Sequence, residues 1–105
     1  MKLITKQIQT KLDKAGWQGN KAICKFFNPM GAGTWIVFGQ DEEEKDLLMC
    51  VADIGMDCVE AGSVLLSELE TLKLPFGLGI ERDLSFKGGK DMTHYLQQST
   101  LAGCN

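Results

Sequence analysis

Glu81-Arg82-Asp83, set between Ile80 and Leu84, is the densest polar cluster in the chain. On an extended backbone the carboxylates at i and i+2 share a face and stand roughly 6.5–7 Å apart. A pair of that kind can divide acid and base roles or hold a divalent ion. The competing role is structural: Arg82 reaches over a sheet to a carboxylate elsewhere and locks the C-terminal segment. Catalytic carboxylates usually work with further polar partners, and none adjoins this pair, so the structural role is the expectation.

The other reactive residue types are sparse. His94 is the one histidine, and no second histidine stands at i+3 or i+4 to complete a transition-metal pair. Cys24, Cys50, Cys58 and Cys104 are 26, 8 and 46 residues apart, which matches no zinc-ribbon or finger spacing. Cys24 and Cys50 lie in apolar runs and read as packing residues, with no structural disulfide expected. Met30-Gly31-Ala32-Gly33-Thr34 contains two glycines without a phosphate-loop pattern, and a strand follows where such a loop needs a helix. Pro29, Gly31 and Gly33 therefore read as turn residues, the glycines at positive φ. Phe76-Gly77-Leu78-Gly79 reads as another turn. No catalytic residue, metal ligand or cofactor is assigned.

Charge is distributed unevenly. The net charge is -3, yet residues 1–25 carry six lysines against Asp13, and residues 41–70 carry ten acids against Lys45. The lysine-bearing first segment, with Trp17 behind it, suggests phosphate tracking with aromatic stacking. A sequence pI near 5.0 argues against nucleic acid as the main partner. The run Asp41, Glu42, Glu43 and Glu44, continued by Asp46, suggests the opposite: a surface that occupies the basic groove of another protein. Its plain alternative is a solvated, charged face.

These residues need a scaffold, and the hydrophobic pattern outlines one. A length of 105 residues suits a single domain, 1–105. No apolar run approaches the ~20 residues of a membrane span, and the N-terminus lacks a signal-peptide core, so a cytoplasmic protein without membrane contact is expected. Thr5 caps a first helix with Ile8 and Leu12 on one face, ended by Gly16. Ala22 to Phe27 and Thr34 to Gly39 read as strands. In the second, Trp35 and Val37 oppose Ile36 and Phe38, so it is covered on both sides and central. Asp41 to Lys45 turns into a third strand, Asp46 to Ala52, and a turn at 53–57 leads to a short strand through Cys58 and Val59 or a few residues beyond. Such close spacing makes the strands antiparallel.

Leu66, Leu69 and Leu72 mark a short helix stopped by Pro75 and Gly77. Ile80 to Phe86 reads as extended. Asp91 caps a last helix with Met92, Tyr95 and Leu96 as its apolar stripe, and Gly103-Cys104-Asn105 is expected to fray. The fold class is α+β: a small antiparallel sheet of about four to five strands, with an N-terminal helix, a short helix after the sheet and a C-terminal helix.

Several stretches resemble the bacterial domain-of-unknown-function family 2958. They are Lys2-Leu3-Ile4-Thr5-Lys6-Gln7-Ile8, Lys25-Phe26-Phe27-Asn28-Pro29-Met30-Gly31, Thr34-Trp35 and Pro75-Phe76-Gly77-Leu78-Gly79-Ile80-Glu81-Arg82-Asp83-Leu84-Ser85-Phe86. The likeness covers about residues 1–86 and leaves the C-terminal helix and tail, 87–105, outside. It implies a small cytoplasmic domain frequent on plasmids, phages and integrated elements, with no settled activity. The family usually carries an acidic residue soon after the Thr-Trp strand, where Phe38-Gly39-Gln40 stands here. It also tends to have a serine capping the short helix, where Leu65 stands, with Ser67 following. No catalytic residue carries over.

The expectation is a non-catalytic protein of a mobile genetic element that binds another protein with a basic surface, such as a host defence nuclease. The alternatives are a small enzyme or divalent-ion-binding domain using Glu81 and Asp83, or a single-strand nucleic-acid binder using the lysine helix. Oligomeric state stays open.

Overall fold

A computed structural model describes residues 2–56 and 58–105. Thr5 opens helix α1 (Lys6–Ala15) by accepting a hydrogen bond from the Ile8 amide, and Gly16 closes it at φ 69°, its amide bonded to the Leu12 carbonyl. The strands are β1 (Cys24–Phe27), β2 (Thr34–Gln40), β3 (Leu47–Asp53), β4 (Val59–Leu65) and β5 (Glu81–Arg82). They form one antiparallel sheet in the order β4-β3-β2-β1-β5. Helix α2 (Leu66–Thr71) follows β4 directly, and α3 (Met92–Leu96) is capped by Asp91, which accepts from the His94 amide. The fold is α+β with the expected helices. Among the described residues, no helix is long and apolar enough to cross a membrane.

The alternation read in β2 is the organising feature, and β2 is the middle strand. On one face Trp35 and Val37 join Leu3, Ile4, Leu12, Phe26, Leu48, Leu69 and Ile80 under α1 and α2. On the other, Ile36 and Phe38 join Ala22, Val51, Tyr95 and Leu101 under α3 and the C-terminal tail. The Tyr95 ring meets Phe38 edge-on, with centroids 5.9 Å apart. A bulge between Val37 and Gly39 then shifts the register of β2 against β3. The extra residue turns Gln40 toward α1, where its amide oxygen accepts from Gln9 Nε2 at 2.6 Å. Gly39 permits this because a Cβ there would lie 2.2 Å from the Trp17 carbonyl oxygen.

Five local expectations are corrected. β4 runs the full length of β3 although Glu60-Ala61-Gly62-Ser63 is exposed, because pairing with β3, rather than its own pattern, makes it a strand. β5 is only two residues long, because the Asp83 carboxylate accepts from the Ser85 amide and turns the chain. α2 stops at Thr71, before Pro75, and Leu72 is extended and exposed. Gly33 has positive φ but Gly31 does not; the Asn28 side chain shapes that turn by accepting from the Met30 amide and donating to the Ala32 carbonyl. The tail expected to fray is tied in as far as Cys104, whose carbonyl accepts from Lys25 Nζ, just beyond the fully buried Leu101. Asp57, expected in the turn after β3, lies outside the described residues.

Candidate functional site

The Glu81-Arg82-Asp83 cluster is divided between the two faces of the sheet. Arg82 Nη1 donates to the Leu3 carbonyl at 2.6 Å and to the Lys2 carbonyl at 3.3 Å, fastening the N-terminal segment to the edge strand. Asp83 turns the other way. Its Oδ2 lies 3.6 Å from Nζ of Lys25, whose side chain is only 5% exposed. The same ammonium donates to the Cys104 carbonyl at 3.0 Å. Removing an ammonium from water is expensive unless a counter-charge and hydrogen bonds replace the solvent, and these two oxygens fill that role. Lys25 thereby joins β1, the turn after β5 and the C-terminal tail.

Around this pair lies a cavity of about 310 Å³, walled by Phe27 and Thr34, by Gly31 and Gly33 of the first turn, and by Ala102 and Gly103 of the tail. Three separated stretches that carry the family likeness therefore meet at one place. Glu81 does not line this cavity, so the two carboxylates do not converge there. Among the described residues, no group of three or more His, Cys, Asp or Glu side chains gathers as a metal cluster.

The acidic loop is built differently from a loose charged run. Asp41 accepts from the Glu43 amide at 2.9 Å and the Glu44 amide at 2.8 Å, and the Glu44 and Glu43 amides hold its carboxyl below the usual carboxylate range. The ends are paired through Asp41 N to Leu47 O and Leu47 N to Glu44 O, each at 3.0 Å. Buried Gln40 braces the loop from below by donating to the Lys45 carbonyl. Asp46 serves α2: its carboxylate accepts from the Ser67 amide and hydroxyl, and its carbonyl from the Leu66 amide. It supplies the cap that Leu65 lacks. Glu44 accepts from the Asp46 amide. Glu42, Glu43 and Glu44 all remain solvent-exposed.

The remaining reactive side chains are dispersed. Cys24 and Cys50 are buried packing residues; desolvation pushes their thiols up to about 12 and about 11, far from the nucleophilic thiolate form. All four cysteines are free, and the exposed Cys58 thiol donates to Glu60, a bond that raises its pKa. The His94 ring stands edge-on to its neighbour Tyr95 at 5.0 Å.

Sequence reasoning passed over Lys25, Gln40 and Phe76. A lysine inside the otherwise apolar run Ala22–Phe27 was the available signal for the first, since a charge there must find a partner. For Gln40 the signal was Gly39 inside a strand, the mark of a bulge or a close backbone approach. Phe76 carried no signal: it is 89% exposed and has φ 63°, a conformation that bulky side chains rarely adopt.

A comparison with protein families matches residues 2–104 to the family described as "Protein of unknown function (DUF2958)". The match takes in the C-terminal helix and nearly all of the tail, correcting the expectation that the likeness ends near residue 86. The packing of Leu101 and Cys104 against the sheet gives the reason. No curated protein and no solved structure matches the chain. On a match spanning essentially its whole length, the chain belongs to the DUF2958 family.

Proposed function

We propose that this protein acts by binding rather than by catalysis, and that the β2–β3 loop docks on a basic groove of another protein. The observation that carries the reading is the hydrogen-bonded frame of that loop. Asp41 and Gln40 fix its backbone from within, so Glu42, Glu43 and Glu44 are presented with little further ordering entropy to lose on association. Charge complementarity of this kind steers encounter and selects the partner more than it adds affinity.

Phe76 supports the same class of activity. A phenyl ring held in solvent on a left-handed backbone is strained and unburied in the free protein, and both features suit an anchor that a partner covers. The ion-binding and enzymatic alternative finds less support, because the Lys25 ammonium already neutralises Asp83. The family likeness suggests a cytoplasmic accessory protein of a mobile element, where occupying the nucleic-acid groove of a defence nuclease would be useful.

The test is affinity capture by the tagged chain from a lysate of its source cell, at about 50 mM and about 500 mM salt, where exposed charges are progressively screened. Wild type should retain basic proteins at low salt and release them at high salt. The combined substitution Glu42→Gln, Glu43→Gln and Glu44→Gln should lose them without a change in melting temperature, and Phe76→Ala should weaken the same capture. An identical captured set for wild type and the triple variant at low salt would sink the reading.

A further inference from the structure

Three lysines of the N-terminal segment and a fourth from far along the chain line one concavity. Lys11 and Lys14 on α1, Lys21 in the loop that follows and Lys87 before the Gly88-Gly89 turn line a cavity of about 570 Å³, with Gln18 and Asn20 beside them. No carboxylate is in its lining among the described residues. The acid nearest in sequence, Asp13, is committed elsewhere, 3.6 Å from Lys45 and bonded to Gln9. The lining therefore presents positive charge of one sign, on a protein whose net charge is -3.

Backbone contacts fix the segments that carry Lys21 and Lys87 side by side. Ala22 N donates to Lys90 O at 2.9 Å and Gly89 N to Ala22 O at 3.0 Å, pinning the Lys87 segment beside Lys21. Gly88 stands at φ +65°, and a Cβ there would lie 2.6 Å from the Ala22 carbonyl oxygen. On the opposite wall, a Cβ on Gly19 would lie 1.9 Å from the Phe38 carbonyl oxygen. Both approaches are open only to glycine.

We propose that this cavity binds a compact polyphosphate anion, the class to which the phosphate tail of a nucleoside triphosphate belongs. Ammonium groups on flexible stems act as movable point charges for phosphate oxygens, and the two amide side chains supply further donors. The volume falls within the range of roughly 300–1,000 Å³ occupied by small-molecule sites. Trp17 is not in the lining, so the cavity is equipped for phosphates rather than for stacking a base.

Calorimetric titration of the full chain tests this, with tripolyphosphate, magnesium-free ATP and AMP as probes at about 50 mM salt, where counterion competition is weak. Tripolyphosphate and ATP should bind saturably, one per chain and with similar affinity, and AMP much more weakly. Lys14→Gln with Lys87→Gln should weaken tripolyphosphate by roughly tenfold or more, since two charge-assisted contacts are lost. Lys6→Gln with Lys73→Gln changes the net charge equally but lies outside the cavity, and should leave the affinity at the wild-type value. Equal weakening by both pairs would mean a diffuse charge effect and would overturn the site, as would the absence of saturable binding. A single-stranded oligothymidylate of about ten nucleotides, within the usual span of such binders, is the last probe. Tighter binding of it than of tripolyphosphate, with the same lysine dependence, would make the ligand a nucleic-acid backbone and overturn the compact-anion assignment.

Discussion

At the end of β3 the carboxylate of Asp53 accepts hydrogen bonds from the Gly55 amide, the Thr100 hydroxyl and the Leu101 amide, each at 2.9 Å. One side chain thus shapes the next turn and fastens a segment almost half the chain away. The Leu101 amide, first among these donors, holds the carboxyl below its ordinary range, opposed only in part by burial. A carboxyl shifted downward contributes stability that is present above its unfolded pKa, about 3.9, and is lost as pH falls through the lower folded value. Asp53→Asn should therefore destabilise the protein by roughly 1–3 kcal/mol at pH 7, because a buried amide donor loses its charged acceptor. In urea denaturation the gap between wild type and variant should begin to close as pH falls below about 5, where the unfolded carboxyl begins to take up its proton. A gap that stays constant from neutral to acid pH would mean that the interaction does not depend on the carboxylate charge.

Elements report how far local pattern reaches. The hydrophobic alternation of β2 showed its central place because both faces bury apolar side chains, and Thr5, Gly16 and Asp91 marked helix ends through interactions within four residues. What local pattern missed was closed from a distance. β4 owes its length to β3, Lys25 meets Cys104 across 79 residues, and α2 takes its cap from Asp46, 21 residues before Ser67. The candidate site was legible in the same proportion: Gly31, Gly33 and Asp83 stood out individually, while the Lys25 cavity that gathers them depends on the tail docking. The cap is open to a direct test. Asp46→Ala should cost about 1–2 kcal/mol, as loss of an N-cap does. At roughly 4–8 °C per kcal/mol in a domain near this size, melting should fall by several degrees or more. Glu43→Ala, which leaves the loop's hydrogen bonds intact, should stay within about 0.5 kcal/mol of wild type, as surface changes do. Equal melting of the two variants would show that the cap from β3's entrance contributes nothing to α2.

On the scale of the molecule, the sheet has two covered faces of unequal means. The first is roofed by the ten-residue α1 together with α2 and the N-terminal segment, whereas the second is covered by the five-residue α3, Phe86 before it and the tail. A helix of one turn or so has no stability of its own and persists only by docking its apolar side. Leu101, fully buried beside Tyr95 and Ile36, is therefore a keystone of the second core, and Asp53 and Lys25 hold the chain on either side of it. Leu101→Ala should cost about 2–5 kcal/mol, the range for a buried leucine that leaves a cavity. That is a large share of the roughly 5–15 kcal/mol holding a typical domain. Leu84→Ala, at a side chain 78% exposed, should stay within about 0.5 kcal/mol. Urea denaturation of both variants, with dye binding to report an uncovered apolar face, makes the comparison. If Leu101→Ala and Leu84→Ala unfold together, the second face is held without its tail, and the reach of the family match through residue 104 needs a cause other than packing.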